Sequence, residues 1–242
     1  MKNHYKSQLI IGNGEVGQSL FNVLATLYRW SICIQDKNKN FYDFYGKYDV
    51  IHICYPFVTY FIQITKEYIK QYNPKLVIIH STVPIGITRK ISPIAVHSPI
   101  RGTHPNLEEG IKTFVKYFGG KKAEEAAKIF SNTGIVTQCF KKPETTEVIK
   151  LWDTFQYGVM IMLEKEIYKY CKQKKVDFNF VYKDANKTYN EGYKKLGRPE
   201  LIRPVLKHVK GKIGGHCIIP NAKLLSIDSW LAKLLVEKNE KY

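Results

Sequence analysis

The stretch "SQLIIGNGEVGQSLFNVLATL", residues 7 to 27, decides the fold. A short apolar run comes first, three closely spaced glycines follow, and an amphipathic pattern with Val16, Leu20 and Val23 on one stripe comes last. The spacing predicts a buried strand, a tight turn and a helix. A corner of this kind either binds a ligand at the start of its helix or simply needs small residues for packing.

Each glycine of this stretch has its own physical task in a phosphate-binding turn. Gly12 permits the tight turn, Gly14 lets the backbone approach a pyrophosphate, and Gly17 lets the helix pack closely on the strand. The helix N-terminus then offers free amides and partial positive charge to the phosphates. The pattern predicts a dinucleotide site formed by Gly12, Asn13, Gly14, Glu15, Val16 and Gly17. A purely structural corner is the alternative.

An acidic residue ends the next predicted strand, "SICIQD". Asp36 lies 24 residues after Gly12, and its carboxylate is suited to accept hydrogen bonds from ribose hydroxyls. The same carboxylate would repel a 2′-phosphate. We therefore expect NAD as the cofactor in preference to NADP, although the neighbouring Lys37 weakens that preference.

Strand-like and helix-like segments alternate over roughly the first 140 residues. Alternation of this kind predicts an α/β fold, with a Rossmann-type, mostly parallel sheet between layers of helices. The predicted strands "DVIHICYPF" and "KLVIIHST" end at Tyr55-Pro56 and Ser81-Thr82. Open α/β sheets bind ligands at the carboxyl ends of their strands, so we expect Tyr55, Pro56 and Thr82 to contribute to the cofactor site.

The sequence changes character at Lys141-Lys142-Pro143. From Glu144 onward, apolar residues recur at three- and four-residue steps, which predicts one long helix that ends near Lys174. We therefore expect a dinucleotide-binding domain over residues 1–142 and an all-helical domain for substrate binding and dimerisation over residues 143–242.

Composition narrows the class of protein. The 38 Lys and Arg outnumber the 21 Asp and Glu, giving a net charge of +17, which reflects either a lysine-rich coding bias or an anionic partner. The five cysteines contain no CxxC pair, and no apolar run reaches membrane-spanning length. We expect a cytoplasmic protein with reduced thiols, no signal peptide, no metal site and no membrane segment.

Four motifs together resemble those of nucleotide-sugar dehydrogenases, the UDP-glucose and UDP-N-acetylmannosamine 6-dehydrogenase group. They are "IIGNGEVGQSL", "DVIHICYPF", "VIIHSTVPIGITR" and "GKIGGHCIIPNAKLL", in this order. The stretches "HSPIRG" and "EVIKLWDTF" are also similar to the wider 6-phosphogluconate and 3-hydroxyisobutyrate dehydrogenase superfamily. The resemblance implies hydride transfer between a nicotinamide and an alcohol or carbonyl carbon of an anionic substrate. It also implies pairing of the helical domains into a homodimer.

The resemblance implies roles for two residues. Lys150, in "TEVIKLW", falls where these enzymes keep an active-site lysine, and Cys217, in "GGHCI", falls where nucleotide-sugar dehydrogenases keep a nucleophilic cysteine. A lysine there would handle a proton or stabilise an alkoxide, and a thiolate would capture an aldehyde before a second oxidation. Alternatively, Lys150 is a surface lysine paired with Glu147, and Cys217 is an inert buried thiol.

The sequence departs from the family at three positions. Thr154 stands where the family keeps an asparagine, Asn221 where it keeps an aspartate, and Ile100 where it keeps a glutamate. We expect the family's third domain to be absent. These differences argue against double oxidation of a UDP-sugar, whereas a single two-electron step needs only the cofactor and Lys150.

The basic C-terminal cluster has a default interpretation as a solvated face. In the alternative interpretation, Arg198, Arg203 and Lys212, with Asn221, contact an anionic substrate. His97 and His104 flank "SPIRGT" and are expected to be solvated loop residues rather than parts of a pocket. Two rival functions stay open: a dinucleotide-binding protein that has lost turnover, and, ranked last because no recognition motif is present, a nucleic-acid-binding protein.

Overall fold

The structure is a computed structural model that describes residues 7–36, 46–215 and 217–242. Lys37 and His216 therefore lie outside the described residues. The chain divides into two compact units, Met1–Lys150 and Leu151–Tyr242.

The first unit contains a seven-stranded sheet in the order β2-β1-β3-β4-β5-β6-β7. Neighbouring strands are parallel except for β5 and β6, which pair antiparallel through His97 and Gly119. The mostly parallel Rossmann-type sheet predicted from the sequence is thus confirmed. The strands are β1 Gln8–Ile11, β2 Ile32–Gln35, β3 Val50–Ile53, β4 Leu76–Ile79, β5 Ala95–His97, β6 Lys116–Gly119 and β7 Thr137–Phe140.

Helices cover both faces of this sheet, which is why β1, β3 and β4 are buried along their whole length. One face packs on α1 and α5 around Leu20, Leu24 and Phe130, and the other packs on α2 and α3 around Phe61 and Ile87. The helices are α1 Glu15–Tyr28, α2 Phe61–Tyr72, α3 Ile87–Ile91, α4 Leu107–Thr113 and α5 Ala123–Ser131. The sequence patterns did not predict α3 and α4.

The second unit is helical. The long helix α6 spans Pro143–Lys174, so its first residues, up to Lys150, belong to the first unit. A π-helical turn Asn179–Asp184 leads into α7 Ala185–Lys195, and a 3₁₀ turn Pro199–Leu201, α8 Ile218–Leu225 and α9 Trp230–Asn239 follow. Within the described ranges, every helix is too short or too polar to cross a membrane.

Candidate functional site

The glycine turn after β1 combines tight packing with one open position. At Gly12, where φ is +106°, an added Cβ would lie 3.0 Å from the backbone of Cys54 and Tyr55. At Gly17 it would lie 1.8 Å from the carbonyl oxygen of Gly12. At Gly14, in contrast, it would meet no atom of the described residues within 4 Å. Packing therefore requires glycine at two positions, while Gly14 leaves open space beside the backbone.

Helix α1 begins at this turn with exposed backbone donors. Gly14 is the N-cap residue and has no side chain with which to cap the helix. The first amides of a helix lack partners within the helix and carry partial positive charge, so an anion is well suited to this end. The Glu15 side chain bonds the His104 ring instead, with its Oε2 2.5 Å from Nδ1, and Val16 packs against the core.

Asp36 reaches the same turn from the end of β2. Its Oδ2 accepts a hydrogen bond from the backbone amide of Asn13 at 2.9 Å. Burial raises the pKa of the Tyr68 hydroxyl, and the nearby charge of Asp36 raises it further. The carboxylate predicted to contact a ribose thus lies directly beside the predicted pyrophosphate turn.

The ends of β3 and β4 are joined beside the glycine turn. The Ser81 hydroxyl donates to the carbonyl of Tyr55 at 2.6 Å. The Tyr55 ring turns away into α2, where its hydroxyl lies 2.6 Å from Thr65 Oγ1 and burial raises its pKa. Pro56 is exposed and Thr82 is half-buried. These two residues and the backbone of Tyr55 therefore line the carboxyl edge of the sheet.

Lys150 lies at the end of the first unit, and its Nζ donates to the carbonyl of Ile100 at 2.8 Å. Glu147 is completely buried and accepts the backbone amides of Gly86 at 2.6 Å and Thr88 at 2.9 Å. Both carboxylate oxygens of Glu147 therefore bond the start of α3. The alternative interpretation, in which Lys150 is a surface lysine paired with Glu147, is wrong.

The expectation of two solvated loop histidines is wrong for His97. This residue ends β5 and is completely buried, because the chain leaves the strand beneath the start of α6. Its Nδ1 lies 2.9 Å from the Thr146 hydroxyl and its Nε2 lies 3.3 Å from the Ser81 carbonyl. Burial lowers the pKa of His97 to about 3, so the ring is neutral at physiological pH. His104 is exposed and pairs with Glu15.

Sequence reasoning missed a chain of buried polar side chains across the sheet. Gln8 Oε1 lies 3.0 Å from His52 Nε2, His52 Nδ1 lies 3.1 Å from His80 Nε2, and His80 Nδ1 lies 2.8 Å from the Ser98 carbonyl. A carbonyl only accepts, so His80 Nδ1 donates, and its Nε2 accepts from His52. His52 Nε2 must then accept too, which requires the Gln8 amide rotated with its nitrogen inward. The rotation gives Gln8 Nε2 a partner and moves Oε1 to the position that has none among the described residues.

Lys116 is buried at the end of this row of hydrogen-bonded polar side chains. Its Nζ donates to the Ser98 carbonyl at 3.2 Å and lies 5.0 Å from the centre of the Phe130 ring. Burial lowers its pKa to about 7, with a smaller effect from the charge of Lys150. The ion pairs formed by the described residues do not include Lys116. The sequence feature that could have predicted these buried side chains is a single polar residue within an otherwise apolar strand, such as Gln8 in β1 and His52 in β3.

In the second unit, Cys217 is the half-buried N-cap residue of α8, and Asn221 lies one turn later, buried. The Asn221 side-chain nitrogen has no hydrogen-bond partner among the described residues. No group of three or more His, Cys, Asp or Glu in the described ranges is arranged to hold a metal ion.

The predicted anion-binding residues of this unit differ in their surroundings. Arg198 and Lys212 form exposed ion pairs with Glu200 and Glu240. The Arg203 guanidinium stacks on Tyr189, 3.6 Å from the ring centre, beside a groove of about 870 Å³ between α6 and α7. Of the three, Arg203 alone carries no carboxylate partner among the ion pairs of the described residues.

Comparison with solved structures gives clear relatives in fold. The chain is similar to UDP-D-ManNAc dehydrogenase from Pyrococcus horikoshii, with 18% identity and a TM-score of 0.74 over 97% of this chain and 68% of that one. It is similar to UDP-N-acetyl-mannosamine dehydrogenase from Staphylococcus aureus, with 18% identity and a TM-score of 0.70 over 97% and 67%. It is also similar to 3-hydroxyisobutyrate dehydrogenase from Mycobacterium tuberculosis, with 10% identity and a TM-score of 0.67 over 98% and 93%.

No protein-family model matches the sequence, and no curated protein matches it at a significant level. The resemblance predicted from the motifs is confirmed at the level of structure. The chain therefore has the fold of these nucleotide-sugar and 3-hydroxyisobutyrate dehydrogenases, and it spans about two thirds of the length of the nucleotide-sugar enzymes.

Proposed function

We propose that the protein is an NAD-dependent oxidoreductase that transfers a hydride between the nicotinamide and an alcohol or carbonyl carbon of a small anionic substrate. Such a substrate is a sugar nucleotide, a phosphorylated molecule or a hydroxy acid. The observation that carries the proposal is the glycine turn. Gly14 is open on the side of an uncapped helix N-terminus, and a carboxylate bonds the same turn.

The residues of this turn fit a dinucleotide. The pyrophosphate would lie against the amides of Gly14, Glu15 and Val16, beside the space that an added Cβ at Gly14 would enter without touching any described residue. Asp36 would accept hydrogen bonds from the adenosine ribose and would repel a 2′-phosphate, which favours NAD over NADP. When bound, NAD supplies the site that accepts or donates the hydride.

Lys150 is the residue proposed to act on the substrate. Its amine is the group that would hold a developing alkoxide by charge or exchange a proton with the reacting oxygen. A second oxidation would require Cys217 as nucleophile and a base that activates water. Asn221 offers an amide in place of the carboxylate, and an amide cannot act as a general base. We therefore propose a single two-electron step, in which Cys217 is not required as a nucleophile.

Recognition of an anionic substrate is assigned first to Arg203. A guanidinium presents several donors in a planar fork that matches a carboxylate or phosphate. Arg198 and Lys212 would have to exchange Glu200 and Glu240 for a ligand, so their contribution would be smaller. The rest of the positive charge is proposed to be compositional rather than a nucleic-acid footprint.

A dinucleotide-binding protein without turnover is the second candidate. The buried amide of Asn221 and the threonine at position 154 favour it, because both replace residues that the resemblance implies for catalysis. Both candidates bind NAD, and only the first turns over.

Calorimetry with NAD, NADH and NADP tests the binding step. Gly14→Ala is the key variant, because its Cβ fits the protein without contact but would occupy the path of the pyrophosphate. Gly192→Ala is the matched control, a glycine in α7 whose Cβ would also meet nothing within 4 Å. We expect NAD affinity to fall at least tenfold in the first variant and to stay unchanged in the second. Equal NAD affinity of the two variants would contradict the assignment of the turn.

Absorbance of NADH with sugar nucleotides, sugar phosphates and hydroxy acids tests turnover. Lys150→Ala is expected to abolish it, whereas Lys141→Ala, at an exposed position of the same unit, is expected to leave it unchanged. NAD binding without turnover on any member of this panel would favour the second candidate.

A further inference from the structure

Three buried side chains connect the start of α6 to the carboxyl edge of the sheet. His97 ends β5, and Thr146 and Glu147 lie one turn before Lys150 on α6. All three are completely buried. Buried polar groups of this kind persist only where their hydrogen bonds are satisfied, so each bond that they make fixes one part of the first unit to another.

His97 connects α6 to the segment that follows β4. The Ser81 carbonyl only accepts, so Nε2 of His97 carries the proton and donates across 3.3 Å. Nδ1 is then the acceptor for the Thr146 hydroxyl at 2.9 Å. Ser81 in turn donates to the carbonyl of Tyr55. One imidazole thus connects the turn that precedes Lys150 to two strand ends proposed to line the cofactor site.

Glu147 fixes the other end of the same segment. Its two oxygens accept the amides of Gly86 and Thr88, at 2.6 and 2.9 Å. Hydrogen bonds to a carboxylate are about twice as strong as neutral ones, and truncating a buried charged acceptor is costly. The segment that contains Thr82 is therefore held at Ser81 by His97 and at its far end by Glu147.

The amine of Lys150 is attached to the same framework. It donates to the carbonyl of Ile100, which lies three residues after His97 along the chain. The proposed acid–base group therefore bonds a carbonyl three residues from His97, while His97 and Glu147 hold the proposed cofactor segments within the same unit.

We infer that His97, Thr146 and Glu147 are positioning residues that fix the Lys150 amine relative to the cofactor segments at Tyr55 and Thr82. The inference rests on the proposed function for the meaning of that placement. Displacements of about 1 Å far from the reacting atoms are known to lower rates by up to a hundredfold.

Thr146→Val tests the inference because it keeps the shape of the side chain and removes the hydroxyl. Its control is Thr26→Val in α1, which removes a helix hydroxyl that donates to the Val23 carbonyl at 2.8 Å. The Thr146 hydroxyl has one proton, so with that proton given to His97 its 2.9 Å approach to the Pro143 carbonyl is not a second donated bond. Thr146 is completely buried and Thr26 is exposed, so Thr26→Val controls for the loss of a helix hydroxyl, and Thr146→Ser controls for packing. We expect kcat to fall about tenfold or more in Thr146→Val, with KM for NAD within about twofold of wild type.

Thr146→Ser separates positioning from packing. Serine restores the hydroxyl and loses the methyl group, so it is expected to recover most of kcat. A variant series in which serine and valine lower kcat equally would overturn the positioning role, because packing alone would then explain the loss. A tenfold rise in KM for NAD with unchanged kcat would also overturn it.

A second measurement does not depend on turnover. Reductive ¹³C-methylation labels the lysine amines for NMR, and the Lys150 signal is assigned by its loss in Lys150→Arg. We expect this signal to shift in Thr146→Val and Glu147→Gln but not in Thr26→Val. Absence of turnover in the wild type would refute the proposed function alone, whereas an unmoved Lys150 signal in both variants would refute the positioning role.

Discussion

The buried amine of Lys116 should make the stability of the first unit depend on pH in a defined window. Burial lowers its pKa from 10.5 to about 7 in the folded protein. At this amine the unfolded chain therefore binds more protons than the folded chain between about pH 7 and pH 10, and the Lys116 contribution to the free energy of unfolding rises with pH over that range. Below pH 7 the folded protein carries a buried ammonium near Phe130 and the Ser98 carbonyl.

The size of this effect follows from the shift. A slope of about 1.4 kcal/mol per pH unit applies while the amine is neutral in the folded state and charged in the unfolded state. Over the whole window the shift corresponds to roughly 4–5 kcal/mol, an upper figure because water entry and local relaxation reduce the cost of a buried charge. Several kcal/mol is a large part of the stability of an ordinary domain.

Lys116→Met isolates this contribution. Methionine keeps an unbranched side chain of similar length and carries no proton, so the other titrating groups cancel when the two proteins are compared at each pH. Urea unfolding followed by circular dichroism at pH 7, 8, 9 and 10 would give the difference. We expect wild type to gain about 1 kcal/mol per pH unit over the variant between pH 7 and 9. Unfolding free energies that run parallel across this range would show that the Lys116 pKa is not depressed.

Three further predictions follow from other contacts. Gly158→Ala should lower the free energy of unfolding by roughly 1–3 kcal/mol, because its Cβ would lie 2.5 Å from a methyl group of Ile218 in α8 and 3.2 Å from a methyl group of Leu235 in α9. Thermal unfolding of the variant and the wild type measures the difference. Asp36→Asn should weaken NAD binding at least threefold and reduce the ratio of NAD affinity to NADP affinity. Calorimetry with each dinucleotide measures both affinities. Burial lowers the pKa values of His52 and His97 to about 3, so these two rings bind more protons in the unfolded chain than in the folded chain between pH 6.5 and 3. The urea concentration at the unfolding midpoint should therefore fall steadily as the pH falls through this range. A midpoint that does not change with pH would contradict neutral buried rings.

The fold was predictable because its elements have strong periodic patterns. The strands are apolar runs bounded by turn residues, and α1 and the long α6 carry amphipathic repeats over many residues. Helices α3 and α4 were missed for the opposite reason. They contain five and seven residues, so neither repeats an apolar position often enough to define a helical face.

The polar interior was harder to predict, because a sequence does not state which polar residues fold inward. His97 flanks "SPIRGT" and was expected to be a solvated loop residue. The chain instead leaves β5 beneath α6, where Thr146 and Ser81 satisfy both ring nitrogens. Glu147 looked like the partner of Lys150 at helical spacing, but a helix has several faces and this carboxylate caps α3. Tertiary hydrogen bonds decided both cases.

The glycine turn shows what the structure adds to a strand–turn–helix corner that the sequence predicted. From the sequence alone, a packing requirement could account for all three glycines. In the structure, Gly12 and Gly17 leave no room for a side chain, whereas an alanine at position 14 would meet nothing within 4 Å. Packing among the described residues therefore does not explain Gly14, which supports the proposal that a ligand approaches the backbone at this helix start. The difference in NAD affinity between Gly14→Ala and Gly192→Ala measures that requirement directly.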